Sequence, residues 1–272
     1  MAPSALKALV MATVMFGAMA QAPAPDALGR ARAAYNAGKF DAAIEAAGEA
    51  MKTASQANVA AMILGRAHLE RYRGVRTESD LADARSALRL VVPDQLSAGE
   101  RVEYLVGLGE SLYLEGCIPG CFSAAAEIFA LALAKSDTGP AREPVFEWWA
   151  SALDQQAQFS QDNDRAGVYR RLLDGASAEL ARDDRSASAT YWLMAAARGT
   201  GDIERAWGAA IAGWVRSRGL GTRGDALRAD LDRFVMKALL PERARQAVPD
   251  ADPRGALAMY VIQWEEIKKK YS

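Results

Sequence analysis

The sequence predicts an all-α protein built from antiparallel helix pairs, and three features carry that expectation. Alanine, the strongest helix former, supplies 58 of 272 residues. Proline is absent from Asp26 to Val92 and again from Val145 to Leu240, windows that suit helices better than a sandwich of short, proline-punctuated strands. Large residues, turn glycines and small residues also recur at spacings suited to closely packed helix pairs. With 51% hydrophobic and 25% charged residues, and 33 basic against 34 acidic side chains, the composition is that of a soluble globular protein. Disorder and a polyanion-binding surface of extreme charge are both disfavoured.

In chain order, the first segment is set apart from the fold. Lys7 followed by the apolar run Ala8 to Ala20, ending in Ala18-Met19-Ala20, has the layout of a secretory signal peptide over residues 1–20, with cleavage expected after Ala20. The run is short of the roughly 20 residues needed to cross a bilayer, and no cysteine follows it to accept a lipid; an uncleaved anchor is the alternative. Every later apolar stretch is interrupted by Arg, Asp or Glu, so no stable membrane insertion is expected after cleavage. Residues 21–26 open with Gln-Ala-Pro-Ala-Pro and form an extended leader, because each proline disfavours helix at the residue before it.

Residues 27–215 then divide into five helix pairs. In the first, Tyr35, Gly38, Phe40, Ala43, Ala47 and Ala50 place a large residue and a turn glycine between two helices, then a small-residue stripe along the second. Ala57 to Pro93 forms the next, with Gly65 at a small position and a polar connection from Arg71 to Asp80. The third uses Leu105, Leu108, Gly109 and Leu112, then Phe122, Ala125, Phe129 and Ala132, with a longer turn that carries both cysteines. Phe146 to Gly175 is the fourth, opened by Trp148 and Trp149. Leu193, Ala197, Gly201, Ile203, Ala206, Ala210 and Gly213 make the fifth, turning at Gly201-Asp202. After a Gly- and Arg-rich break from Arg216 to Gly224, residues 216–272 supply two further helices, about Asp225 to Leu239 and Gly255 to Tyr271, as a polar-faced cap.

These spacings resemble the tetratricopeptide repeat, whose helix-turn-helix unit has small residues where the helices cross and larger ones in the seams. The resemblance implies a right-handed stack of helix pairs, an α-solenoid, whose first helices line an inner face that holds extended peptides or partner helices. Carried over position by position, that face contains Arg32, Tyr35, Asn36, Arg66, Glu70, Glu103, Glu110, Tyr113, Trp149, Gln156, Tyr191 and Arg198.

Catalytic signatures are sparse. His68 is the only histidine, which argues against a multi-imidazole zinc site and against a triad needing a second His; it reads as a packed helix residue. The mature chain has no phosphate-binding Gly-rich loop, no Gly-x-Ser-x-Gly elbow and no Ser-x-x-Lys. Asp162 to Gly167 starts like a calcium loop, but Ala166 and Leu173 stand where oxygen ligands belong, so it reads as a helix start. Asp183-Asp184 reads as a solvated turn and helix start. No pair among the 34 carboxylates is singled out as a glycosidase couple. No cofactor and no metal is expected.

Cys117 and Cys121, across Cys-Ile-Pro-Gly-Cys, are expected to form a structural disulfide in an oxidising compartment. Redox motifs usually separate the cysteines by two residues beside a βαβ pattern, and a two-cysteine metal site lacks further ligands. Arginine outnumbers lysine 25 to 8, but Asp202, Glu204, Asp225, Asp230 and Asp232 interleave with the Arg-rich stretch from Arg198 to Arg245, which marks a mixed-charge face and not a nucleic-acid surface. Trp148, Trp149, Tyr191, Trp192, Trp207 and Trp214 read first as packing between repeats. The combined expectation is a periplasmic or secreted, non-enzymatic scaffold that binds a protein or peptide partner. The alternatives are an exported enzyme using an acid pair on cell-wall glycans, or a structural subunit of an envelope complex.

Overall fold

The computed structural model describes residues 26–117, 120–136 and 141–272; the expected signal peptide and nearly all of the leader lie outside the described residues. Described elements are helical throughout. They comprise α1 (Ala27–Asn36), α2 (Phe40–Ala50), α3 (Ala54–Val75), α4 (Glu78–Arg89), α5 (Ala98–Glu115), α6 (Gly120–Lys135), α7 (Arg142–Phe159), α8 (Asp162–Arg182), α9 (Ala187–Gly199), α10 (Ile203–Arg216), α11 (Gly221–Phe234), α12 (Leu240–Ala247) and α13 (Arg254–Lys270). A single 3₁₀ turn, Pro93–Gln95, precedes α5, and a π-helical turn, Val235–Leu239, joins α11 to α12.

Local sequence explains many of the boundaries. Gly29 N donates to the Asp26 carboxylate at 2.7 Å, capping α1. At α5, Glu100 N donates to Ser97 Oγ while the Glu100 carboxylate accepts from Ser97 N, a reciprocal capping box. Ser186 and Asp202 accept backbone N–H bonds at the starts of α9 and α10. The α1–α2 and α9–α10 turns pass through Gly38 and Gly201 at φ +69° and +83°, where a Cβ would strain the backbone.

From α1 to α11 each helix packs on the next, α11 and α12 meet through the π turn between them, and α12 packs on α13; α1, α3, α5, α7 and α9 also touch in succession. Small residues make that spacing attainable. Ala43, Ala47, Ala50, Ala125, Ala132, Ala206 and Ala210 are fully buried, and a Cβ on Gly109 would lie 2.5–2.8 Å from the Phe129 ring. The flat glycine therefore seats the aromatic of the partner helix. Gly175 and Gly199 do the same for Trp149 and Tyr169.

Three local expectations change. The polar stretch from Arg71 is not a long connection: α3 continues to Val75, and only Arg76 and Thr77 separate it from α4. Arg71 instead donates to Asp80 and Asp41, which draws α4 and α2 against the end of α3. Asp183-Asp184 precedes α9 without capping it, because Ser186 Oγ takes that bond. The C-terminal segment begins its helix at Gly221 and contains α12, which was not anticipated. Pro241 sits in the first turn of α12. It cannot donate a backbone bond and its ring crowds the preceding turn, and the π turn before it, where Leu240 N donates to Val235 O, accommodates the disruption.

Trp264 on α13 closes this end of the molecule, edge-to-face with Trp207 and Trp214 at centroid distances of 5.7 and 5.5 Å. Its Nε1–H donates to Asp232 at 2.7 Å.

Candidate functional site

Odd-numbered helices meet around one large cleft of about 1110 Å³, walled by α1, α3, α5 and α7. Helical spacing sets its lining: Arg66, Glu70 and Arg73 are successive residues on one face of α3, and Glu103, Val106, Glu110 and Tyr113 form the matching face of α5. Gly107 lets the two faces approach, since a Cβ there would lie 3.2 Å from the Arg66 stem.

Most charges along the walls are paired. Arg32 donates to Glu100 at 2.5 Å and lies 3.9 Å from Glu103. Arg73 donates to Glu70 at 2.8 Å and covers the Trp148 ring at 5.0 Å. Glu147 accepts from Arg223 at 2.8 Å.

The floor differs. Arg66 stacks over the Tyr35 ring at 5.2 Å and lies 4.0 Å from Glu110, an ion pair too long to be a hydrogen bond. Glu110 is 1% exposed. Burial pushes its pKa up to about 7, with Glu70 adding to the rise and Arg66, Arg73 and the Trp148 indole opposing it. Burial likewise pushes the Tyr35 hydroxyl well above its ordinary value. Glu110 Oε2 and Arg66 Nε are both buried without a hydrogen-bond partner among the described residues, a costly state for charged groups. Both atoms are closed off from solvent beneath the aromatic walls of the cleft.

Of the twelve anticipated inner-face residues, the cleft gathers Arg32, Tyr35, Asn36, Arg66, Glu70, Glu103, Glu110 and Tyr113. The other four lie elsewhere. Trp149 is 6% exposed in the core, against Phe146 and Gly175, and its neighbour Trp148 takes the cleft wall, beside Tyr113 at 5.2 Å. The reason is register: Phe146, Trp149, Ala150, Leu153 and Ala157 form the buried stripe of α7, and Trp148 falls off it, in line with Pro144 and Ser151. That stripe was the signal available in the sequence. Gln156 stands outside the cleft with its Oε1 buried and unbonded. Tyr191 packs edge-on to Trp192 and Phe234. Arg198 borders a smaller cleft of about 510 Å³, where it is paired with Glu242. Arg73, Glu147 and Trp148 are cleft residues that sequence reasoning passed over.

Among the described residues, two groups bring three possible metal ligands together: Glu115, Cys117 and Cys121, and His68, Asp80 and Asp83. In the first, Cys117 and Cys121 form the expected disulfide, with Cα atoms 5.1 Å apart, so neither sulfur is a thiolate ligand. In the second, Asp80 accepts from Arg71 and lies 2.8 Å from His68 Nδ1, which occupies its oxygens in holding α4 to α3. The Arg71 hydrogen bonds also hold the Asp80 pKa below its ordinary value, against burial.

Comparison of the chain with known protein families, curated proteins and solved structures returned no match.

Proposed function

We propose that the chain is an exported binding scaffold of the tetratricopeptide type, a right-handed stack of five helix pairs with a C-terminal cap, holding a protein or peptide partner of the cell envelope in the cleft between α1, α3, α5 and α7. The observation that carries this reading is the convergence of eight anticipated inner-face residues, from three separate repeats, on one open cleft. Succession of contacts among α1, α3, α5, α7 and α9 supports the stack, and the Cys117–Cys121 disulfide supports an oxidising compartment such as the periplasm or the exterior.

Tyr113 and Arg32 are the side chains to remove, because groove binders draw most of their affinity from a few aromatic or arginine anchors. Tyr113→Ala and Arg32→Ala, in protein that melts cooperatively, should each weaken binding of the envelope partner, by about 2 kcal/mol where the position is a hot spot. Unchanged binding by both folded variants would sink the proposal.

A second reading, an exported hydrolase, is favoured by Glu110 alone, since a buried carboxyl with a pKa near neutrality suits a general acid. Glu70, Glu103 and Glu147, the other cleft carboxylates, each face an arginine, which holds them ionised as the partner of a general acid must be. Turnover of cell-wall glycan that disappears in Glu110→Gln would favour this reading over the scaffold.

A further inference from the structure

We infer that the outer face of α13 is a self-association surface, on which a second copy of this chain packs its own α13 antiparallel about a two-fold axis, with Met259 of each copy against Ile262 of the other. No residue of α13 lines the cleft between α1, α3, α5 and α7, so the inference stands apart from the binding reading.

One side of α13 is already in use. Leu257, Tyr260, Val261, Trp264 and Ile267 pack into the core that this helix shares with α10 and α11. The opposite side carries Gly255, Ala258, Met259, Ile262, Glu266 and Lys269, all exposed, at the three- and four-residue spacing that forms one helical stripe. Met259 and Ile262 are 58% and 60% exposed. Isolated apolar side chains on a surface are ordinary. Here two large ones share a stripe with a glycine and an alanine, which lets another helix come close. Nothing lies within 4 Å of where a Cβ on Gly255 would stand, so the space beside it is open. A helix that closes a stack normally turns a polar face outward, and α13 does so only towards its ends.

The order of charges along the stripe selects the occupant. Asp252 and Arg254 stand at its start, and Glu266 and Lys269 at its end, all four exposed. In an antiparallel pair centred between Met259 and Ile262, position 255 faces 266 and position 252 faces 269. Glu266 of one copy then enters the open space over Gly255 of the other, with Arg254 beside it, and Lys269 meets Asp252. The two-fold axis makes each of these pairings occur twice. Arg254 is 88% exposed, held only by Asp252 two residues away, and is free to reach across. A parallel pair would set Glu266 against Glu266 and Lys269 against Lys269, which repel. A uniformly acidic or basic partner would match one charge at each end and oppose the other. The surface that matches both the sign and the spacing is α13 itself, reversed.

Size sets the strength of the contact. The helix has 17 residues and is about 25 Å long, so one helix pair buries less than the roughly 800 Å² per partner of a standard interface. The dimer is therefore weak and reversible, with a dissociation constant of about 1–100 µM. Pairing uses up the face on both copies, and assembly stops at two.

The experiment is sedimentation velocity of the protein, purified from cells that make it, at concentrations from about 1 to 300 µM that bracket the expected dissociation constant. Monomer at the low end should give way to dimer at the high end, with no larger species. Ile262→Glu places a charge at an exposed position, so it should leave thermal melting unchanged and weaken association at least about tenfold. Arg254→Glu and Glu266→Arg should each weaken it about fivefold, and the two together in one chain should restore it. Both substitutions place charges where the helix dipole favours them, acid at the start of α13 and base near its end, so fraying of the helix does not account for a loss. If Ile262→Glu fails to fold, the two charge reversals and their combination decide alone. A monomer at every concentration overturns the inference, whatever else binds this face. So does a dimer that persists in folded Ile262→Glu, which places the contact elsewhere. Failure of the double reversal to recover the association lost in the single variants also overturns it, by denying the antiparallel register.

Discussion

Trp149→Ala is expected to destabilise the protein by about 3 kcal/mol, the low end of the range for deleting a buried large aromatic. Three observations set the figure. The side chain is 6% exposed, packs on Phe146 at 5.8 Å, and fills the space left by Gly175, so its removal opens a cavity between α7 and α8. Its indole Nε1 is buried without a partner, and losing that unsatisfied donor returns part of the cost. Trp148→Ala removes a ring from the cleft wall, where it covers Phe129 and Tyr113 from one side, and is expected to cost clearly less stability. Chemical denaturation of the two variants side by side checks the order; a larger loss at Trp148 would contradict the register assigned to α7.

Trp264→Ala is the more severe of the two core truncations, expected to cost about 4–5 kcal/mol. Trp264 is 0% exposed and holds together parts of the chain far apart in sequence, meeting Trp207 and Trp214 of α10 and donating to Asp232 of α11. Two edge-to-face contacts and a hydrogen bond to a carboxylate are lost together with the buried ring. Asp232 keeps Lys268 at 2.9 Å, so no charge is stranded. Contacts in this molecule run mainly between neighbouring helices, so the damage should be local. Hydrogen exchange should quicken in α10 to α13 while α1 to α6 stay protected, and uniform loss of protection would count against the stack.

The features legible in the sequence are those that size and backbone freedom dictate locally. Gly38 and Gly201 announced turns that require positive φ, and Ala43, Ala206 and Gly109 announced close helix crossings, because those constraints act within one or two turns of chain. Within α7 the distinction between Trp148 and Trp149 was missed, since two adjacent tryptophans look alike until the buried stripe from Phe146 to Ala157 is followed through its full length. The helix α12 was lost to Pro241, which ordinarily marks an ending and here opens a first turn behind a π-helical one. Pairings such as Arg71 with Asp80 and Asp41, or Arg198 with Glu242, join residues 9 to 44 positions apart, beyond the reach of periodicity. Arg66 and Glu110 were each placed on the inner face through the resemblance to the tetratricopeptide repeat. That both would be buried with an unused hydrogen-bonding atom depends on α1, α3, α5 and α7 converging, which no local pattern encodes.

Site-specific photo-crosslinking in cells that make the protein tests the proposed binding cleft most directly. A photoreactive residue at Asn36 or Tyr113 lies inside the cleft, whereas one at Leu131 on α6 or Leu220 before α11 is exposed outside it. The account predicts one discrete crosslinked product from the two cleft positions, competed by a peptide that occupies the cleft, and none from the two outer positions. Products of equal yield from all four, or from the outer positions alone, would contradict it.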